Sequence, residues 1–467
     1  MAYTDALGYA VSTTSSEALA AYEQGVELWL RWRSGALEAL DLAVACDPRF
    51  ALAHCTRAYM AWRMGKVDVA LDAHAKAMAL ADTAYDEREH WHIQTVDAMQ
   101  RNATEEALTS LERIAAQFSN DRMAMRLLSF NYIARGDYLQ GLAQARRGLA
   151  AHPDDPQFLT MAAFFLEQSN EDPNTGLQLG LRALEADPGN LYTYHAVGHN
   201  YQARGDYRNA LATFERANSL ERYAHLLWHL GEVQAILGDT RITQDYWDST
   251  APSLPLFERI ELRWRLEILR QAPVQREIWK DLATEGERLL EHADYLTIWM
   301  HHWIGLAFAR AGDMEKAQQQ LERLRQLPEG RASGHWSTLG ADLLAGEMAF
   351  IRGDLATAVQ HMAPAVRRIH EMGGGSREQK DIFQDVLLEL QRRLGHVDEV
   401  IELAQRRLHR NPNHLQSLAA LAWAYQQSGQ TSLQHQTCQE ILNRAQAAPV
   451  YPHVPALLEA RKVLAAA

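Results

Sequence analysis

The chain has 467 residues, 47% apolar and 22% charged, with 46 Lys and Arg against 59 Asp and Glu for a net charge of −13. Those proportions exclude a disordered or collagen-like chain. The acidic balance argues against a nucleic-acid partner and an anionic membrane surface, because both draw on a basic excess.

From Met1 to Ser16 there is no basic, apolar leader, so no signal peptide is expected. No apolar run approaches roughly 18 residues, so no spanning helix is expected either. The cysteines Cys46, Cys55 and Cys438 are sparse and lack C-x-x-C spacing. They make neither a disulfide framework nor a zinc knuckle, suit a reducing compartment and place the protein in the cytoplasm.

From residue 16 onward one grammar recurs: helix, Gly turn, helix. Turns are read at Gly65, at Asn102 in a Gly-free copy, and at Gly136, Gly205, Gly238, Gly312, Gly353, Gly395 and Gly429. Gly205 and Gly238 are 33 residues apart, Gly395 and Gly429 are 34 apart, and Pro153 and Pro188 are 35 apart. A period near 34 with closing prolines is the tetratricopeptide pattern. A small residue seven before the turn (Gly198, Gly231, Gly305, Gly346) lets two helices approach closely. One hairpin cannot bury its apolar face, so neighbours must stack.

The expected fold is therefore all-α: one tetratricopeptide-type α-solenoid over 1–467, a superhelix of about eleven hairpins curling round a central groove. Residues 16–247 form the N-terminal repeats. Residues 248–297, with Pro252, Pro255 and the charged stretch Phe257 to Arg270, form an irregular helical insertion. Residues 298–448 form the C-terminal repeats, and 449–467 a capping helix. The Gly-rich break Met372–Gly375 leads into Ser376-Arg377-Glu378-Gln379, a capping-box pattern. No β pattern is read.

Chemistry is sought where the first helix of each hairpin lines the groove. Counting back ten from each turn gives His92, Arg126, His195, Trp228, His302 and Asp385; counting back six gives His199, Glu232, Glu347 and Glu389; counting back 13 from Gly238 gives His225. A groove of His, Glu, Asp, Arg and Trp favours a small polar ligand, and its imidazoles suit acid–base chemistry or metal ligation. His195, His225 and His92 are the candidate catalytic residues. The pairs His195/His199 and His225/His229 are each one helical turn apart, the spacing of a two-point grip on a divalent metal. Neither pair contains the Glu of H-E-x-x-H, since Ala196 and Leu226 stand there, so a zinc protease is not read. Helix surface is the ordinary meaning of one such pair. His229 lies one position off the groove line, His54 reads as core, and so do Trp29, Trp32, Trp62 and Trp91. The Gly-rich break before Ser376 could present amides to a carboxylate or phosphate, or be a long turn with a good cap. It lacks the ending of a phosphate-binding nucleotide loop.

The opening Asp5-Ala6-Leu7-Gly8-Tyr9, Asp47-Pro48 with Phe50 and His54, Arg88-Glu89 with His92, the two histidine pairs, Arg265-Leu266, His302, and Gly374-Gly375-Ser376 with Gln379, Asp381 and Phe383 resemble the tetratricopeptide repeat protein 38 family. The resemblance runs from residue 5 to about 440, departs from it at Met300-His301, and implies an α-solenoid without supplying a reaction. With it, the candidate ligand-binding residues are Arg126, His199, Trp228, His229, Glu232, His302, Ser376, Gln379, Asp381 and Asp385.

Two functions follow. One is a small-molecule site in a histidine-lined pocket, metal- or acid/base-dependent if enzymatic. The other is a scaffold holding a peptide segment of another protein in its groove. Self-association tuned by histidine charge is a third, weaker reading.

Overall fold

The structure is a computed structural model that describes residues 3–83, 85–101, 103–238, 250, 253–270, 272–291, 298–327, 336–447 and 454–466. The turn read at Asn102 and, within the expected 248–297 insertion, residues 248, 249, 251, 252, 271 and 292–297 lie outside the described residues. Contacts divide the chain into two compact units, Met1–Ala196 and Val197–Ala467.

The first unit opens with a two-residue antiparallel ribbon, β1 (Tyr3–Thr4) against β2 (Ala10–Val11), which the sequence reading did not anticipate. Helices follow: α1 (Ser16–Leu30), α2 (Ala36–Cys46), α3 (Ala51–Arg63), α4 (Val67–Ala79), α5 (Glu87–Gln100), α6 (Thr104–Gln117), α7 (Arg122–Arg135), α8 (Tyr138–Ala151), α9 (Pro156–Gln168) and α10 (Pro173–Ala186). Helix α11 (Leu191–Ala203) carries the boundary between units.

The second unit continues with α12 (Tyr207–Leu220), α13 (Ala224–Leu237), α14 (Leu256–Ile268), α15 (Arg276–Leu289), α16 (Ile298–Ala311), α17 (Met314–Gln326), α18 (Ala341–Arg352), α19 (Leu355–Arg367), α20 (Arg377–Leu394), α21 (Val397–Arg410), α22 (Leu415–Gln427) and α23 (Thr431–Ala447). It ends in α24 (Pro455–Ala465). Successive helices pack as antiparallel hairpins, such as α1 with α2, α3 with α4, α18 with α19 and α22 with α23. The fold is an all-α solenoid of tetratricopeptide-type hairpins.

Local chemistry explains the hairpins. Every turn glycine read from the sequence and described here has positive φ, from +68° at Gly205 to +95° at Gly312. That conformation costs other L-residues steric strain and ends the first helix. At three of these turns the following Asp caps the second helix. Asp206 accepts from the Asn209 amide at 3.2 Å, Asp313 from Lys316 at 3.1 Å and Asp354 from Thr357 at 3.2 Å. Close approach is set by the small residue in the first helix: a Cβ on Gly198 would stand 2.2 Å from Phe214 Cζ, and one on Gly346 2.3 Å from Met362 Cγ.

The second unit closes on itself. The loop between α21 and α22 meets the turn between α11 and α12. Asn411 Nδ2 donates to Tyr207 Oη at 2.7 Å, and Asn413 Nδ2 donates to the Gly205 carbonyl at 3.3 Å. A Cβ on Gly205 would stand 2.2 Å from Asn411 Oδ1, so this glycine is required by close packing as well as by φ.

Candidate functional site

Three first helices of the second unit carry charged stripes at helical spacing. Helix α13 presents His225, His229 and Glu232; α14 presents Glu258, Glu261 and Arg265; α20 presents Glu378, Asp381 and Asp385. Residues three, four and seven apart share a helix face. Helix α14 packs on α13, α16 and α20, so its stripe meets the others.

Arg265, 2% exposed, is the hub. Its Nη2 lies 2.8 Å from Glu261 Oε1, donates to the Glu378 carbonyl at 2.8 Å and lies 3.7 Å from Glu232 Oε1; its Nη1 lies 3.9 Å from Asp385 Oδ2. Asp385 is shared with Arg407, at 2.6 Å, and Arg407 Nη2 lies 3.2 Å from His414 Nε2. Gln202 Nε2 donates to Glu232 Oε2 at 3.0 Å.

One arginine cannot keep all these acids ionised. Burial pushes the Glu232 carboxyl up to about 7 and that of Glu261 up to about 8, despite Arg265. Burial, with Asp385 and Glu378 nearby, also raises Asp381, although Arg407 works against this. Glu378 behaves oppositely. Burial would raise it, but His199, with Nδ1 2.7 Å from its Oε2, holds it well below the usual range. His229 is kept neutral by burial and by repulsion from His199, His225 and Arg265.

This network forms one side of a cavity of about 260 Å³. Gln202, Tyr207, Glu232 and Arg265 line it, as do Glu378, Asp381, Gln384 and Asp385 from α20. Arg367 and His370, Arg377, and Arg406, Arg407 and Arg410 complete it with Asn411 and His414. The loop that closes the unit thus also walls the cavity.

Of the residues read from sequence, the structure brings Glu232, Asp381 and Asp385 onto this cavity. His199 and Glu378 form the pair described above. His225 Nδ1 lies 2.6 Å from Glu258 Oε1, and the His225 and His229 rings meet edge to face at 4.7 Å. His229 also stacks on Phe214, and Trp228 is fully buried. His302 Nε2 lies 3.1 Å from Glu347 Oε2, whose Oε1 accepts from Trp264 Nε1 at 3.0 Å. Ser376 and Gln379 form the capping box, so their amides bond each other's side chains. Glu389 pairs with Arg270 and Arg393.

The remaining candidates belong to the first unit. His92 Nε2 lies 3.0 Å from Asp121, which Arg88 grips at 2.6 Å, with Arg88 also 2.9 Å from Asp5. Burial would raise Asp121, but Arg88 and His92 hold it far below the usual range. The Arg126 guanidinium lies over the Tyr192, Phe130 and Trp32 rings at 3.3, 4.5 and 5.4 Å. His195 packs on Trp32 and Phe164.

Sequence reasoning missed the arginines of α21 and the hub role of Arg265. One signal was present. Val400, Leu403 and Ala404 form the buried face of α21, and Arg407 continues that stripe where an apolar residue is expected.

No family model matches the chain, and no curated protein matches it in sequence. Among solved structures, the human IFIT1 dimer with PPP-AAAA aligns at a TM-score of 0.44 and 14% identity, covering 93% of this chain and 96% of that one. The APC/C hetero-tetramer Cut9-Hcn1 aligns at 0.45 and 15%, covering 96% and 76%. Yeast Tom70 aligns at 0.31 and 12%, covering 96% of each. These scores are low, and the fold assignment rests on the hairpins themselves. No helix among the described residues is long and apolar enough to cross a membrane.

Proposed function

We propose that this chain is a tetratricopeptide-type solenoid, of the tetratricopeptide repeat protein 38 kind, that binds a small polar ligand in the cavity of its second unit. One observation carries the reading: charged side chains from α13, α14, α20 and α21 converge on a single cavity of about 260 Å³. That is just under the roughly 300–1,000 Å³ of drug-sized sites, so it suits a small metabolite better than a run of peptide. Glu232 takes up or releases a proton near pH 7, burial raises the Asp381 carboxyl above its ordinary value, and Gln202 and Gln384 offer amides. Three free cysteines suit work in a reducing compartment, and we place it in the cytoplasm.

The test is native mass spectrometry of the untagged protein against its denatured mass, followed by a thermal-shift screen of small polar metabolites. A retained or stabilising small molecule whose effect is lost in Asp381→Asn supports the reading. Stoichiometric capture of a peptide segment, with no small molecule bound, replaces it with the scaffold reading.

A metal role for the histidines has its own support. His225 and His229 offer ring nitrogens within 4.8 Å of each other. The Glu258 carboxylate on His225 Nδ1 is the partner that orients a metal-ligating imidazole. These residues would hold a divalent ion. Elemental analysis of wild type against His225→Ala decides it, and equal metal content in both sinks the idea.

A further inference from the structure

The buried side of the cavity is short of positive charge. Four buried carboxyl groups, Glu232, Glu261, Glu378 and Asp385, and the half-buried Asp381 stand against two buried guanidiniums, Arg265 and Arg407. His199 answers Glu378 at 2.7 Å, and Arg407 answers Asp385 at 2.6 Å. Arg265 is left to serve Glu261 at 2.8 Å and Glu232 at 3.7 Å. Arg367, Arg406 and Arg410 also line the cavity, but they are exposed, so water and salt screen them. The shortfall is visible in the acids themselves: Glu232 and Glu261 are pushed up to about 7 and about 8. A cation brought to them from outside would favour their ionised forms.

Beside Glu232 stands an acceptor that lacks a donor. Gln202 is 4% exposed and lines the cavity. Its Nε2 donates to Glu232 Oε2 at 3.0 Å, while its Oε1 is buried and has no hydrogen-bond partner among the described residues. Buried acceptors are seldom left unpaired. A hydroxyl would supply a donor without charge, and an anion would supply neither. An ammonium group supplies a positive charge and three N–H donors together.

We propose that the small ligand of this cavity is a primary amine in its ammonium form, held by Gln202 Oε1 and the Glu232 carboxylate. This inference rests on the small-ligand reading above and narrows its chemistry. Around Glu232 stand His199 and Tyr207 from α11 and α12, His229 on its own helix, Glu261 and Arg265 from α14, and Glu378 from α20. Of these groups, Glu232 and Glu261 carry carboxyls raised to near neutral pH. An ammonium binds the ionised carboxylate, so binding releases the proton that Glu232 holds. Glu232 is about one-tenth ionised at pH 6 and about nine-tenths at pH 8, so affinity should rise about tenfold between them.

The test is titration calorimetry of the full chain with 4-aminobutanol, against 1,4-butanediol and butyrate at matched ionic strength. Variants are Glu232→Gln, Gln202→Met, and Glu399→Gln as an exposed control on α21. The expected result is one site for the amine and none for the diol or the acid, with affinity about tenfold higher at pH 8 than at pH 6. In Glu232→Gln the affinity at pH 8 should fall at least about tenfold and its pH dependence should flatten. Gln202→Met should weaken binding while keeping the pH dependence, and Glu399→Gln should change neither. Circular dichroism checks that the variants fold; if Glu232→Gln does not, Gln202→Met and the wild-type pH dependence decide. An amine that fails to bind, that binds no better than the diol, that binds equally at pH 6 and pH 8, or that binds the folded cavity variants and wild type alike overturns the proposal. If a neutral or anionic molecule is retained instead and is lost in Asp381→Asn, the amine inference falls while the small-ligand reading stands. If no small molecule is retained or stabilises the chain, both fall.

Discussion

Replacing Arg265 by Met removes a cation that lies against three buried acids, Glu261, Glu232 and Asp385, the last of them shared with Arg407. At an effective dielectric constant near 20, its attraction to Glu261 at 2.8 Å is about 6 kcal/mol, and those to Glu232 and Asp385 at 3.7 and 3.9 Å are between about 4 and 5 kcal/mol each. Desolvation of the guanidinium offsets most of this, so the net loss on truncation should be about 3–5 kcal/mol. For a unit of this size that is roughly 6–15 °C in Tm. The loss should depend on pH, because Glu232 and Glu261 already bind protons near 7 and 8. At pH 6 they can neutralise themselves when Arg265 is gone; at pH 8.5 they cannot do so cheaply. Thermal unfolding of Arg265→Met should therefore show a clearly larger loss at pH 8.5 than at pH 6. Adding Glu261→Gln should recover part of the pH 8.5 loss. An equal loss at both pH values, or one below about 1 kcal/mol, would refute the picture of acids sharing one cation.

The wild type should itself lose stability as pH rises from 5.5 to 8.5. The Glu261 carboxyl is raised from 4.5 to about 8 in the folded state, so its contribution is complete below about 4.5 and disappears through 8. Glu261→Gln should flatten that slope, and an unchanged slope in Tm would count against it. Gly198→Ala should cost about 1–3 kcal/mol, because the new Cβ would stand 2.2 Å from the Phe214 ring. Gly353→Ala, with φ +82° and nothing within 4 Å, should cost only the backbone term of about 1 kcal/mol; equal Tm shifts would contradict the close-approach argument. Asn411→Ala should cost about 1 kcal/mol by removing the 2.7 Å bond to Tyr207 and should speed hydrogen exchange over residues 202–207. Unchanged exchange there would mean that this bond does not hold the closure.

The hairpins were legible because their causes are local. Gly-Asp at 205–206, 312–313 and 353–354 states both requirements of the turn, a left-handed residue and a cap, within two positions. The capping box at Ser376 and Gln379 is equally local, and the structure forms it. The counting rule that selected His302 and Glu347 separately could not say that they face each other at 3.1 Å. The site is long-range by construction. Arg265 bonds the Glu378 carbonyl 113 residues away, and no periodicity connects the two. Arg367, Arg406 and Arg410 lie on second helices of hairpins, where the counting rule did not look. Arg407 was visible in principle, as a charge on an apolar stripe.

Closure and chemistry in the second unit are mechanically one feature. The segment Asn411-Pro412-Asn413-His414 supplies the bonds to Tyr207 and Gly205. It then places His414 to accept from the Ser417 amide at the start of α22. Burial, followed by Arg407 and Arg265, keeps that imidazole neutral. A neutral ring adds no second full positive charge 3.2 Å from the Arg407 guanidinium, which grips Asp385. Asp385 in turn faces Arg265. A displacement of the closing loop therefore moves His414, loosens Arg407 and redistributes charge on the cavity wall. The first unit repeats the device with Asp187-Pro188-Gly189-Asn190. There Asp187 takes Arg31 Nε at 2.7 Å, and Leu191 N donates to the Arg31 carbonyl at 3.1 Å. Arg31 is about a third exposed, so this second closure lies near the surface. Among the described residues, the closing loop of the second unit joins the buried charges that line the cavity through His414 and Arg407.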